Sequence, residues 1–170
     1  NQSILMIKSS LFFLLTIFFF SCNQPATTVT ETKPTLAAPD SVRSFVESIS
    51  RDITQNGPNA WLQYFENSPD FFMASEGKII FPNYDSADGF IKHTLVKMFT
   101  KIELSWTEVK VDVLSSDYAS VAATYLENKT NASGVKDTEQ GYFTGLAHLQ
   151  NGKWKLRNAH WSVLNSMPEH

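Results

Sequence analysis

The chain has 170 residues, with thirteen Phe, four Trp and one Cys, and its formal net charge is −3. This length suits one domain of ordinary size. The charge gives no clustered basic face for a nucleic-acid partner, and a single Cys excludes an internal disulfide, so the fold depends on its core.

The first 21 residues have the pattern of a bacterial lipoprotein signal peptide. Lys8 precedes the apolar run 11–20, which is within the signal-peptide range and short for a membrane span. Ser21-Cys22 follows, and a small residue before Cys at the end of such a run resembles a lipobox. We therefore predict cleavage before Cys22, lipidation of its thiol, and anchoring to a bacterial membrane in the cell envelope, on the periplasmic or outer-membrane side. The alternatives are an ordinary signal peptide and an uncleaved anchor.

Residues 22–38 are rich in Thr and Pro and have almost no large apolar side chains. Such a segment cannot bury enough surface to offset the entropy of ordering, so it predicts a flexible tether. The domain that carries the function is then expected over residues 39–170.

The domain begins with helical patterns. Apolar spacing predicts a helix from residue 39 to Asn56-Gly57-Pro58, a short helix over 59–67 and a third over 86–100. Residues 71–75 and 78–81 predict a short hairpin between the second and third helices.

From residue 105 onwards the apolar period changes to two. Four long strands are predicted over 105–113, 118–127, 136–150 and 154–164, and Asn151-Gly152 is the strongest turn signal between them. Helices first and strands last predict an α+β class. We expect three N-terminal helices packed on a curved, mostly antiparallel sheet, which makes a cone with a hollow suited to a small ligand.

The end of the chain carries a family resemblance. Residues 152–162 read GKWKLRNAHWS, with His160 and Ser162 near the end of the last strand, and Phe143-Thr144-Gly145-Leu146 precedes them on the neighbouring strand. These segments resemble the closing strands of SnoaL-like proteins in the nuclear transport factor two-like superfamily. The resemblance implies the cone fold and a homodimer formed through the convex sheet face. It leaves the activity open, because this superfamily includes isomerases, dehydratases, cyclases and proteins that only bind ligands or partners.

His160 and Glu127 are the candidate catalytic residues. Strict alternation puts His160 on the same face as Trp154 and Leu156, at the open end of the concave side. Glu127 ends the second long strand, where partial desolvation of its carboxyl group would raise its pKa and suit it to act as a base. The alternative interpretation of His160 is a side chain that only hydrogen-bonds to a neighbouring backbone or hydroxyl group. The alternative interpretation of Glu127 is a solvated charge at the end of its strand.

Other side chains are expected to line the hollow, although most of the aromatic ones also suit a plain core. The predicted ligand-binding residues are Trp61, Tyr64, Phe72, Trp106, Tyr125, Asn158 and Ser162. Alternation puts Trp161 on the convex face, where a large aromatic side chain suggests a protein partner. The four His lack metal-ligand spacing, so neither a metal nor a cofactor is predicted.

Three functions remain open at this point. The first is an envelope-tethered domain that binds a small apolar or amphipathic molecule in the cone. The second is a lyase- or isomerase-type enzyme that uses His160 and Glu127, although the predicted first hairpin has only Glu76, at its turn, as an acidic residue. The third is a protein-interaction module that uses the convex sheet face.

Overall fold

The computed structural model describes residues 38–164. The helical elements come first and are interrupted by two short strands. They are α1 (Pro39–Asn56), a 3-10 helix (Pro58–Gln63), the strands β1 (Phe72–Ser75) and β2 (Lys78–Phe81), and α2 (Tyr84–Phe90), which continues through a π-helical turn (Ile91–Leu95) into α3 (Val96–Met98). Four long strands follow: β3 (Phe99–Val113), β4 (Tyr118–Asn131), β5 (Lys136–Gln150) and β6 (Lys153–Val163).

All six strands form one sheet in the order β2-β1-β6-β5-β4-β3. Only β1 and β6 pair in parallel, and every other neighbouring pair is antiparallel. Asn151 and Gly152 both have positive φ in the tight turn between β5 and β6, as the sequence predicts. The predicted α+β class and mostly antiparallel sheet are confirmed.

The core lies between the helices and one face of the sheet, which we call the inner face. Helix α1 buries Val42, Phe45, Val46, Ile49 and Ile53, the stripe expected from the helical spacing. Hydrogen bonds of two side chains, Trp106 and Thr54, hold α1 on β3. The Trp106 indole N–H donates to the Val46 carbonyl at 2.8 Å, and the Thr54 hydroxyl donates to the Leu104 carbonyl at 3.1 Å.

Two β-bulges change which side chains face the core. The register shifts between Trp106 and Glu108 in β3, and again in β6, where Leu156 pairs with Ala147 but Asn158 pairs with Leu146. An extra residue in a strand reverses the alternation beyond it. The regular alternation predicted for both strands is therefore wrong past these points.

Several element boundaries differ from the predictions, and β4 for example continues to Asn131 instead of ending at residue 127. The second helix ends at Gln63, and the next residues pair with β6 through a bridge between Phe65 and Leu156. The third helical region ends at Met98, and β3 begins at Phe99 because buried Ile102 and Leu104 already alternate with exposed side chains.

A buried ion cluster fixes the segment after the 3-10 helix to β6. Glu66 is 1% exposed, and its carboxylate lies 2.9 Å from His148 Nδ1 and 2.9 Å from an Arg157 guanidinium nitrogen. Arg157 also reaches Asp70 at 2.9 Å. The bulged strand therefore holds the segment that carries Phe65.

The predicted signal peptide (1–21), Cys22 and nearly all of the predicted tether lie outside the described residues. Within residues 38–164, no helix is long and apolar enough to cross a membrane.

Candidate functional site

A pocket of about 170 Å³ opens between the helical elements and the inner face of the sheet. Its walls come from the 3-10 helix, the segment after it, β1, β2, α2, the π-helical turn, β4 and β6. They are almost entirely apolar and rich in aromatic rings: Trp61, Phe65, Met73, Ser75, Ile80, Phe81, Phe90, Ile91, Leu95, Glu127 and Trp161. Glu127 is the one ionisable side chain in this wall.

Glu127 lies near the end of β4, on the same face as buried Ala123 and Tyr125, as the sequence predicts. It is 8% exposed. Burial raises the pKa of Glu127 because a desolvated carboxylate loses hydration, and the neighbouring Lys129 ammonium only partly opposes this effect. The carboxyl group is therefore easier to protonate than one on the surface.

Charged and polar side chains surround Glu127 on β4 and β5. Glu139 is its direct cross-strand partner. Lys129 Nζ lies 3.6 Å from a Glu127 oxygen, 2.7 Å from a Glu139 oxygen and 3.8 Å from an Asp137 oxygen. The Tyr125 hydroxyl donates to Glu139 at 2.8 Å. The best donors therefore serve Glu139, and Glu127 has only a longer contact with a shared cation.

The pKa values of the other two groups follow from this arrangement. Burial disfavours the charge of Lys129, but its hydrogen bond to Glu139 and the surrounding carboxylates outweigh that effect and raise its pKa. Burial and the hydrogen bond to Glu139 both raise the pKa of Tyr125. Lys129 is therefore a fixed cation and Tyr125 a fixed hydrogen-bond donor near neutral pH.

Gly141 allows Tyr125 to reach this network. Gly141 lies directly opposite Tyr125 on β5. A Cβ at residue 141 would lie 1.9 Å from the Ser162 carbonyl oxygen and 2.8 Å from the Tyr125 hydroxyl. Only glycine fits this close approach without displacing the backbone of β6.

A second and larger hollow, of about 500 Å³, lies over β4, β5 and β6. It includes Thr124, Tyr142 and Ser162, which belong to the outer face, opposite the core. It brings together two predicted site residues, Tyr125 and Ser162. It has no charged side chain and no helical wall, so the smaller inner pocket is the better candidate site.

The placement of His160 on the concave face is wrong. The bulge at Arg157 turns Asn158, His160 and Ser162 to the outer face, while Ala159 and Trp161 are buried against the core. His160 is exposed and pairs with Thr144 and Ala74 across the neighbouring strands. The structure therefore places His160 and Glu127 on opposite faces of the sheet.

Phe72 also lies away from the inner pocket. It pairs with Asn158 on the outer face and is 40% exposed. The ligand-binding roles predicted for Phe72, Asn158 and Ser162 therefore have no support from the inner pocket.

The placement of Trp161 on the convex face is wrong as well. It is 8% exposed, and its ring packs against Trp61, Trp106, Tyr125 and Phe143 with centroids 4.4 to 5.9 Å apart. Trp161 is thus both core and pocket wall, and it is not available for a partner on the outer face.

The other predicted aromatic residues divide between pocket and core. Trp61 lines the inner pocket, as expected. Tyr64, Trp106 and Tyr125 are outside its lining, because the Tyr64 hydroxyl donates to Asp52, the Trp106 indole to Val46 and the Tyr125 hydroxyl to Glu139.

Sequence reasoning missed much of the wall. Phe81, Phe90, Ile91 and Leu95 line the pocket from β2, α2 and the π-helical turn. The signal was present as the apolar spacing of the third predicted helix, but spacing alone does not tell a core-facing stripe from a pocket-facing one.

The pocket can hold an apolar body and can present one carboxyl group to it. That carboxyl group can accept a hydrogen bond, pair with a cation or take up a proton. Among residues 38–164, no cluster of three or more His, Cys, Asp or Glu is arranged to hold a metal ion.

Comparisons with known proteins show similarity of structure and none of sequence. No family model matches the chain, and no curated protein matches it. A nuclear transport factor 2-like superfamily protein from Salmonella enterica serovar Typhimurium matches with a TM-score of 0.65 at 14% identity, covering 76% of this chain and 93% of that one.

Two further solved structures are of proteins named for a reaction. A putative scytalone dehydratase from Novosphingobium aromaticivorans matches with a TM-score of 0.64 at 13% identity, covering 77% of this chain and 87% of that one. A hexachlorocyclohexane dehydrochlorinase matches with a TM-score of 0.60 at 11% identity, covering 77% and 88%. At such identities the likeness shows the fold alone, and the chain therefore has the nuclear transport factor 2-like fold.

Proposed function

We propose that this protein binds a small, mainly apolar molecule in the inner pocket while tethered to the cell envelope through Cys22. The observation that carries the binding function is a buried carboxyl group, Glu127, in a pocket wall that is otherwise apolar and aromatic. Specific small-molecule sites have this composition, a mostly apolar cleft with a few polar groups that orient the ligand.

Native mass spectrometry of the purified chain tests this function. We expect a small molecule of defined mass to co-purify with the protein from a bacterial host. Ser75→Phe should remove that mass because Ser75 lines the pocket beside Trp161.

Ala74→Phe is the matched control. Ala74 is adjacent in β1 but pairs with His160 on the outer face. The proposal fails if Ser75→Phe and Ala74→Phe retain the same small molecule to the same extent, or if neither the wild-type chain nor a ligand screen yields any bound molecule.

The tether has its own test. Cys22→Ser should remove the mass of the acyl groups and move the protein from the detergent phase to the aqueous phase in a phase-separation assay. Equal partitioning of the wild-type and Cys22→Ser chains would exclude a lipid anchor on Cys22.

A second candidate function is proton-transfer catalysis with Glu127 as the base. It is favoured by the raised pKa of Glu127, since a general base works best with a pKa near the working pH. Two proteins with similar structures, a putative dehydratase and a dehydrochlorinase, are named for eliminations, and an elimination needs such a base. His160 is exposed on the other face of the sheet, so we propose Glu127 without it.

Glu127→Gln separates the two candidates once a ligand is identified. Under the binding function, incubation of wild-type protein with that ligand leaves the ligand chemically unchanged. Under the enzyme function, wild-type protein converts it and Glu127→Gln does not, while His160→Ala has wild-type turnover.

A further inference from the structure

The hydrogen-bonding capacity of Glu127 is largely unused. A carboxylate offers about four acceptor positions. Within residues 38–164, the cation nearest to the Glu127 carboxylate is Lys129 Nζ, at 3.6 Å, which is longer than an ordinary hydrogen bond. Every fully enclosed side-chain nitrogen or oxygen of the described residues has a partner. Glu127 lines the inner pocket, so a ligand there can reach its carboxyl group.

The charge around Glu127 is negative. Three carboxylates, Glu127, Asp137 and Glu139, share one ammonium group, Lys129. Lys129 donates to Glu139 at 2.7 Å, and Tyr125 donates to Glu139 as well. Glu127 is thus the buried carboxylate of this network with the least compensation, and a ligand that brings a positive charge would supply what is missing.

The size of the pocket suits a ligand body of about one ring. An apolar cavity of about 150 Å³ is known to accept benzene, and this pocket has about 170 Å³. Its aromatic walls, among them Trp61, Phe65 and Trp161, suit a flat apolar body. The faces of such rings also attract an ammonium group.

We infer that the ligand is a monocyclic primary amine, bound as its ammonium form, with its ring among the aromatic walls and its ammonium group donating to Glu127. This inference rests on the proposed binding function and specifies the ligand class of the same pocket. Carboxylic acids are excluded because they would add a fourth negative charge to a network with one cation.

The protonation of Glu127 supports the same ligand class. Burial raises the pKa of Glu127 in the empty pocket, so its ionised form is costly there. A bound ammonium offsets this cost and favours the ionised carboxylate. Binding of an amine should therefore weaken as the pH falls and Glu127 becomes protonated, whereas binding of a neutral molecule should not.

Calorimetry on the full chain at pH 7 tests the inference with three probes, benzylamine, benzyl alcohol and benzoate, which share one ring and differ in the head group. Benzylamine should bind at least about tenfold more tightly than benzyl alcohol, because its ammonium group adds ion pairing to the hydrogen bond with the Glu127 carboxylate and the hydroxyl group does not. Benzoate should bind more weakly than benzyl alcohol. Glu127→Gln should remove the preference for benzylamine over benzyl alcohol.

Glu103→Gln is the matched control, since Glu103 is an exposed glutamate on β3, and it should leave all three affinities unchanged. If Glu127→Gln does not fold, the pH series on the wild-type chain replaces it. Benzylamine affinity should then fall relative to benzyl alcohol from pH 8 to pH 4, where benzylamine itself stays protonated.

The outcomes separate this inference from the proposed function. The inference of an amine ligand is overturned if benzyl alcohol binds as tightly as benzylamine, or if the ratio of the two affinities does not depend on pH. Either result leaves the proposed binding function of the pocket intact. Failure of all three probes to bind, together with no co-purifying molecule, would overturn both.

Discussion

Glu127 on β4 lies directly opposite Glu139 on β5, and Lys129 Nζ lies 3.6 Å from the first carboxylate and 2.7 Å from the second. Like charges at directly opposed positions destabilise a sheet. Their juxtaposition at one end of an apolar pocket therefore costs stability, and this is typical of a site retained for function.

We predict that Glu127→Gln stabilises the fold at neutral pH. The folded-state pKa of Glu127 is raised above its unfolded value, so the folded state binds the proton more tightly. The contribution of this group to stability is then most favourable below the unfolded pKa and decreases as the pH rises through the folded pKa. The uncharged amide introduced by Glu127→Gln does not lose stability in this way as the pH rises.

Thermal melts of both proteins from pH 4 to pH 8 measure the effect. The melting temperature of Glu127→Gln should exceed that of the wild type by a growing margin as the pH rises, and Glu103→Gln should show no such trend. A lower melting temperature for Glu127→Gln at pH 8 would mean that Glu127 has a structural role.

Replacement of Lys129 by Met should have the opposite effect. It leaves Glu127 and Glu139 facing each other without their shared cation, and we expect a loss of about 3 kcal/mol in the free energy of unfolding at pH 7. The raised pKa of Lys129 means that its contribution is complete below the unfolded pKa and is lost as the pH rises through the folded pKa.

Chemical denaturation over a series of pH values from 7 downwards measures this loss, which should shrink as the pH falls and Glu127 becomes protonated. Lys136→Met, at an exposed position on β5, is the control. Equal stability of Lys129→Met and Lys136→Met at pH 7 would contradict the network described here.

Arg157→Met should destabilise the protein through Glu66. Glu66 is 1% exposed, and among the described residues its carboxylate contacts the Arg157 guanidinium and His148 Nδ1, each at 2.9 Å. Removal of one partner of a buried ion pair costs about 3 to 5 kcal/mol. Lys153→Met, at an exposed position on the same strand, should change the free energy of unfolding by no more than about 0.5 kcal/mol. Similar values for the two variants in urea titrations would disprove this role of Glu66.

The bulge in β6 predicts contrasting effects at two adjacent residues. Trp161→Ala should cost about 3 to 5 kcal/mol, because it removes a ring packed against four aromatic neighbours. His160→Ala should change the free energy of unfolding by no more than about 0.5 kcal/mol, since His160 is exposed. Equilibrium unfolding followed by circular dichroism compares the two variants. A large loss of stability for His160→Ala together with no loss for Trp161→Ala would mean that β6 alternates regularly, without the bulge.

The sequence was sufficient to predict the class and order of the elements. Helical spacing in α1 and the turn at Asn151-Gly152 are local signals, and both are confirmed. The position of Glu127 on the same face as Tyr125 was also predictable, because β4 alternates regularly from Ala119 to Glu127, but its burial was only one of two interpretations.

The orientation of β6 was not predictable in this way. Its bulge at Arg157 coincides with the ion cluster of Arg157, Glu66 and Asp70, whose members are far apart in the sequence. A pattern that assumes period two cannot detect an extra residue fixed by tertiary contacts. The contribution of Phe90 and Leu95 to the pocket was not predictable for the same reason, because it depends on tertiary contacts.

The most direct test of the central claim, that the inner pocket binds a small molecule, is an NMR titration of the isotope-labelled chain with benzyl alcohol. We predict saturable shifts in the amide signals of Met73, Ser75 and Phe90 and in the indole N–H signal of Trp161, with the outer-face amides of Thr144 and Ser120 unchanged. Shifts confined to the outer face, or no saturable shifts at all, would contradict the assignment of the inner pocket as the binding site.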